Sequence, residues 1–280
     1  MTDAAGRRFE LRRYAACVFD LDGTIWLGPD RPIPGAPEFV GRCRDLGIAI
    51  AYATNSTVQT PESLSERLVD AGVAHPAEPV VTSGVVMARA LRRLGITRAV
   101  AVVPDQLAAT LTAAGIDVVS PDDMDPRELG SIAPEHALVL AASRGATIGA
   151  IERLGRLAAA GHPLYASSTD PGFPAGDGIE PGGGVLLAAL RTMYDVDATV
   201  LGKPSAAYAD TVVDALGAPT GPIAVFGDSH RADIGIADHL GADGVLLTAH
   251  SLRGIDRQLR PPRFIAPTLA DPITPFEELT

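Results

Sequence analysis

The sequence predicts an α/β fold built on a doubly wound parallel sheet. Short, unbroken apolar runs recur along the chain, and stretches of helical period separate them. Strands that are apolar on both faces fit a parallel sheet covered by helices on each side. Polar residues stand where several of these runs end, and ligands bind beyond the carboxyl ends of strands in such sheets.

The elements follow in order. AACVFD (15–20) and IAIAYAT (48–54) read as buried strands. PESLSERLVDAG (61–72) reads as a helix, with Thr60 and Pro61 as its start and glycine at its end. AVAVVP (99–104) leads into the helix DQLAATLTAAG (105–115), and ALVLAAS (137–143) into TIGAIERLGRLAAAG (147–161). PLYAS (163–167) and TVLG (199–202) are two further strands, and the loop-rich SSTDPGFPAGDGIEPGGG (167–184) would lead the chain back to the core sheet. SAAYADTVVDALG (205–217) is a helix started by Ser205. IAVFGD (223–228), ADIGIADHLG (232–241) and DGVLLT (243–248) complete a strand, helix, strand unit.

The 280 residues suffice for one large domain or two modest ones. A hydrophobic share of 46% with 20% charged residues is globular. The formal net charge of −11 argues against a nucleic-acid partner, whose phosphates select basic surfaces. It leaves room for an anionic small substrate, provided local cations offset the field. Cys17 and Cys43 read as small buried hydrophobes without metal or disulfide spacing, which suits a reducing cytoplasm. MTDAAGRRFELRRY lacks the apolar stretch of a signal peptide, and no run is long enough to span a bilayer.

The sharpest question lies in CVFDLDGTIWLG (17–28), where an apolar strand ends in two aspartates one residue apart. An unpaired buried charge is very costly. Asp20 and Asp22 therefore mark either an acidic turn or a catalytic or metal site. Thr54 and Asp228 stand at the ends of two other strands, and Lys203 just past a third. These positions would converge on one rim. The patterns from about 99 to 167 contribute none of them and read as a separate α/β insert.

FDLDGT (19–24), TNS (54–56), GKPS (202–205) and GDSHRADI (227–234) occur in an order that resembles the haloacid dehalogenase-like (HAD) hydrolase superfamily. WLG after DGTI, the DPGFP stretch and IEPGGG before a helix resemble its class IIA capped subgroup. That subgroup holds the NagD-like, nitrophenyl-phosphatase, pyridoxal-phosphatase and glycerol-phosphate-phosphatase enzymes. The resemblance covers nearly the whole chain. It implies a Rossmann-like core from residues 1–85 and 195–280, with an inserted α/β cap of the C2 type over 86–194.

The function implied is a Mg²⁺-dependent phosphatase acting on a small phosphomonoester (sugar, polyol, cofactor or nucleotide monophosphate). Asp20 would be the nucleophile, forming an aspartyl-phosphate, and also a Mg²⁺ ligand. Asp22 would be general acid and then base, its backbone carbonyl on the metal, and Asp228 would complete the protein ligands. Thr54 and the Asn55 N–H would bind phosphoryl oxygens, and Lys203 would hold nucleophile and phosphate. Asp233 would support the site, and Asp170 would contact substrate from the cap. The partner implied is a small phosphorylated metabolite, with no nucleic acid, no membrane and a homodimer through the cap. Phosphotransfer to a small acceptor, or phosphometabolite binding without catalysis, are the alternatives.

Each residue also has a plainer reading. Asp228 alone could be a turn residue, Asp233 a helix N-terminal acid and Lys203 a solvated loop lysine. Gly182 to Gly184 lack the Lys and Ser/Thr of a P-loop and read as flexible re-entry into the core. His230 and Arg231 fit either substrate contact or an exposed loop, and Trp26 either a pocket wall or packing beneath the cap. Ser168 stands where relatives carry the asparagine of Asn-x-Asp, which weakens any transfer of substrate identity.

Overall fold

A computed structural model describes residues 8–28, 31–124, 136–175, 178–252 and 254–277. The first half of the charged N-terminal stretch (1–7), and Gly176 and Asp177 of the loop-rich segment, lie outside these. The chain enters through a 3-10 turn, Leu11–Arg13, into β1 (Ala16–Phe19), whose four residues are all buried. Helix α1 (Ala36–Asp45) leads to β2 (Ala49–Thr54), and α2 (Pro61–Asp70) to β3 (Val80–Thr82). Thr60 caps α2, its hydroxyl accepting from the Ser63 N–H at 3.1 Å, as the Thr-Pro start predicts. Helix α3 (Ser83–Arg93) then carries the chain into a second layer.

That layer holds β4 (Arg98–Val102), α4 (Asp105–Ala113), β5 (Asp117–Val119), β6 (Ala137–Leu140), α5 (Ile148–Ala159) and β7 (Leu164–Ala166). The hairpin β8 (Gly172–Ala175) and β9 (Gly178–Pro181) follows, then α6 (Gly183–Tyr194) and β10 (Thr199–Val200). Helix α7 (Ala206–Ala215) returns to the first layer. There β11 (Ile223–Gly227), a π-helical turn at His230–Ile234, α8 (Gly235–Leu240), β12 (Asp243–Leu247), β13 (Phe264–Ala266) and β14 (Thr274–Pro275) finish the fold.

The first sheet has the order β14-β13-β12-β11-β1-β2-β3 and is parallel except for the edge pair β13 and β14. From β1 the chain winds outward through β2 and β3, then returns on the other side at β11. The strand order therefore switches between β1 and β11, where such sheets open a crevice. The second sheet, β10-β7-β6-β4-β5, is wholly parallel.

Each sheet is covered on both faces. One core packs α1 and α2 (Phe39, Val40, Leu64, Leu68) on Phe19, Tyr52 and Phe226, and another packs α7 and α8 (Tyr208, Val212, Ile236) on Val18 and Val225. In the second layer, α4 residues Leu107 and Leu111 cover one face and α5 and α6 residues Leu154 and Leu187 the other. Helix α3 straddles the layers, with Val86 in a core of the first and Met87 and Leu91 in a core of the second.

Two expectations change. TVLG does form a strand, but β10 pairs with β7 and so closes the second sheet, beyond the expected 86–194 insert. Its apolar run identifies a strand without identifying a neighbour. The segment 167–184 does not run straight back to the first sheet: it contains the β8-β9 hairpin, and α6 then packs on the second. Closely spaced Gly and Pro residues read as loop, yet the register joins Gly172 to Pro181.

Candidate active site

Asp20 follows β1 directly, and its N–H donates to the Phe226 carbonyl of β11 at 2.9 Å. That bond fixes the residue at the switch point. Asp228 follows β11, and the π-helical turn brings Asp233 back beside it. Lys203 arrives from the other layer, in the loop between β10 and α7, and is 3% exposed. Its ammonium donates to Asp20 Oδ1 at 2.6 Å, to Asp233 Oδ1 at 2.7 Å and to the Ala53 carbonyl at 2.9 Å. All three ammonium protons are thereby committed to protein acceptors. Toward a phosphate, Lys203 offers charge rather than a free N–H.

Among the described residues, Asp20, Asp228 and Asp233 form a group of three buried carboxylates with oxygens within 4.8 Å of one another. Burial pushes the Asp20 carboxyl up, against the pull of Lys203. Burial, with the charges of Asp20 and Asp233, pushes Asp228 up to about 9. Burial pushes Asp233 up to about 7, with Lys203 opposing. Burial alone would lower the Lys203 ammonium, but the Asp20 and Asp233 charges outweigh it and hold it well above its ordinary value. One lysine does not neutralise three crowded acids, so the cluster has the chemistry of a divalent-cation site.

A second observation agrees. Asp20 Oδ2 is buried and has no hydrogen-bond partner among the described residues. A buried carboxylate oxygen normally has a partner. These oxygens fit a hard divalent cation, which takes oxygen ligands. Gly23 explains the tight approach: its φ is +89°, and a Cβ there would lie 2.5 Å from Asp228 Oδ2.

Around this centre the two layers are tied by Asn55. Its Oδ1 accepts from the Lys203 N–H and the Ser83 hydroxyl, both at 2.8 Å, and its Nδ2 donates to Asp170 Oδ2 at 2.8 Å. The Ser168 hydroxyl donates to the same Asp170 oxygen at 2.8 Å and accepts the Asp170 N–H at 2.8 Å. Gly202 permits the crossing, since a Cβ there would sit 1.8 Å from the Ser167 carbonyl oxygen. The Thr54 hydroxyl accepts the Ser56 N–H at 3.1 Å, and Tyr208 donates to the Thr54 and Val81 carbonyls at 2.9 and 2.7 Å.

Residues 17–117 match the family model described as haloacid dehalogenase-like hydrolase, and residues 200–272 match one described as HAD-hydrolase-like. Together these cover more than half of the chain and all the acids of the cluster. The chain belongs to the haloacid dehalogenase-like hydrolases. An acid sugar phosphatase of Staphylococcus aureus is 24% identical to this hydrolase over 271 residues, 96% of this chain and 100% of the relative. A p-nitrophenyl phosphatase from Archaeoglobus fulgidus shares its fold with a TM-score of 0.76 and 26% identity, over 92% of this chain and 97% of that one. A glycerol phosphate phosphatase from Mycobacterium tuberculosis, solved with calcium, has a TM-score of 0.74 and 26% identity, over 93% of this chain and 75% of that one.

In this hydrolase the sequence motifs meet at one place, although Lys203 follows a strand of the second sheet rather than the first. Asp170 lies beside them through Asn55. His230 departs from both of its expected readings: it is buried, its Nδ1 accepting the Asp256 N–H and its Nε2 lying 2.9 Å from the Arg260 carbonyl. With Nδ1 an acceptor, the ring proton sits on Nε2, and the side chain fastens a loop. Arg231 pairs with Asp256 at 3.0 Å. Sequence reasoning missed Ser83 and Tyr208. Tyr208 stands in the first turn of a helix already read after Ser205, and only the fold aims it at Thr54.

Proposed function

We propose that this hydrolase is a Mg²⁺-dependent phosphatase of small phosphomonoesters, acting through an aspartyl-phosphate on Asp20. The observation that carries the reading is Asp20 itself, buried between Lys203 and the acid cluster with one oxygen partnered and the other not. The named phosphatase activities of the relatives support the substrate class. Asp20, Asp228 and the Asp22 carbonyl would hold Mg²⁺, with Asp233 supporting. The cation supplies charge neutralisation, so that an anionic nucleophile can approach a dianionic ester.

The chain's own groups do the rest. Lys203 orients Asp20 and offsets its charge. The Asp20 carboxylate attacks phosphorus as the bond to the leaving oxygen breaks. Asp22 gives that oxygen a proton, then takes one from the water that attacks the phosphoryl group, freeing Asp20 and phosphate. Asp22 suits the acid role because burial raises its carboxyl, with only partial offset from the Trp26 N–H and from Lys203. Thr54 and the Asn55 N–H bind phosphoryl oxygens. The second layer acts as a cap that excludes water and contacts the leaving group through Asp170. The reading places the enzyme in the cytoplasm, where the free thiols Cys17 and Cys43 stay reduced.

The test is phosphate release from a panel of small phosphomonoesters, with and without Mg²⁺, beside Asp20→Asn. Release should require Mg²⁺ and fall by roughly a thousandfold or more in the variant. A folded protein that binds Mg²⁺ but releases nothing from any ester would overturn the reading in favour of phosphotransfer or plain binding.

A further inference from the structure

Asp22 has a partner to which the chemistry above gives no positioning role. The Trp26 indole Nε1 donates to Asp22 Oδ1 at 2.9 Å. The loop between them is folded tightly: the Gly23 N–H donates to the Trp26 carbonyl at 2.8 Å, and the Trp26 N–H to the Leu21 carbonyl at 3.1 Å. The indole is 2% exposed. Arg67 of α2 lies over its face, with the guanidinium carbon 3.8 Å from the ring centroid. The Arg67 Nη2 also donates to the Gly28 carbonyl at 2.6 Å, just beyond the same loop.

An indole N–H is a donor only. Whatever oxygen it holds must accept, and a carbonyl oxygen accepts better than a hydroxyl oxygen, so the bond favours an Asp22 proton on Oδ2. The indole thus selects which oxygen gives up the proton and fixes the plane of the carboxyl. Arg67 in turn fixes the indole, by a cation over the ring and a bond to the loop.

We propose that Trp26 is a positioning residue for Asp22, and that Arg67 supports it by holding the indole. This rests on the reading of Asp22 as general acid. Such catalysis is worth about 10²- to 10⁴-fold, and a misplacement of about 1 Å can cost 10²-fold. The loss should depend on the leaving group. An alkoxide needs the proton as it departs, whereas p-nitrophenolate hardly does.

The experiment compares kcat/KM for glycerol phosphate and p-nitrophenyl phosphate in wild type, Trp26→Phe, Arg67→Met and Arg67→Lys. Trp26→Phe keeps a ring under Arg67 and loses the N–H together with part of the ring volume. It should lower the alkyl-to-aryl ratio of kcat/KM by about tenfold or more. Arg67→Met should lower the ratio less, and Arg67→Lys should restore most of it. Equal losses on both esters would mark a merely structural role and overturn the proposal.

Trp26 is the single tryptophan of the chain, so its indole N–H gives one resonance in a ¹⁵N spectrum. Asp22→Ala should shift that resonance and speed its exchange with solvent; an unmoved resonance overturns the pairing whatever the kinetics. Wild type inactive on these and every other ester of the panel sinks the phosphatase reading and the acid's positioning with it. Active wild type with an unselective Trp26→Phe sinks the positioning alone.

Discussion

Lys203 is a buried cation held entirely by the protein's own acceptors. Its ammonium is enclosed by Asp20, Asp233 and the Ala53 carbonyl, and each of its protons has a partner. Removing it leaves two buried carboxylates without a counter-charge. Breaking a buried pair in this way costs about 3–5 kcal/mol. Lys203→Met should therefore lose about that much stability at pH 8 in metal-free buffer, measured by urea unfolding. At pH 5 the loss should be smaller, because Asp233, pushed up to about 7, is protonated there and no longer needs the cation. A loss of the same size at both pH values would show that packing, not charge, holds the lysine's place. The motif pointed to the residue type and the neighbourhood. The commitment of all three protons was not legible, because it depends on where the Ala53 carbonyl and Asp233 arrive in space.

Elements decide which motifs can meet. The runs that became β1, β2, β6 and β11 were legible because they are apolar on both faces and end in polar residues. The three-residue β3 and β5, unlike the equally short β7, were not, since paired valines alone show no period. Nor was α3, whose SGVVMARALRR begins with adjacent valines that favour a strand. The partner of β10 was hidden for a deeper reason, since strand pairing is a long-range property. Yet that pairing brings Lys203 in from the second layer. Gly202 is the crossing point, where a Cβ would meet the Ser167 carbonyl at 1.8 Å and the Asn55 and Ser83 oxygens at 2.7 Å. A backbone carbonyl cannot swing aside as a side chain does. Gly202→Ala should cost at least the roughly 1–3 kcal/mol typical of overpacking. It should also lower activity more than Gly254→Ala, at an exposed glycine with open space around it, as parallel melting and turnover assays would register. Full activity in Gly202→Ala would mean that the two layers meet less tightly than this crossing requires.

At the scale of the whole molecule, a chain of net charge −11 has gathered three acids around a single lysine in one buried place. Folding forces protons onto them. Asp228 is pushed up to about 9 and Asp233 to about 7, chiefly by burial. In the unfolded chain an aspartate titrates near 3.9. Between about pH 4 and 9 the folded state therefore binds protons that the unfolded state has released, and stability falls as pH rises through this window. A divalent cation reverses the argument by replacing those protons with fixed positive charge, and its binding releases them. Mg²⁺ should accordingly raise the melting temperature strongly at pH 8 and little at pH 5, where protons compete for the same oxygens. At a hundred times its dissociation constant a ligand adds about 2.7 kcal/mol of stability. Melting curves from pH 5 to 9, in chelator and in saturating Mg²⁺, separate the two terms. The chelator series should slope downward with pH and the Mg²⁺ series should be nearly flat. Asp228→Asn should flatten the chelator series and abolish most of the Mg²⁺ shift, since it removes both the strained proton and a cation ligand. A Mg²⁺ shift that is the same at every pH, or that survives Asp228→Asn, would place the cation somewhere other than this cluster.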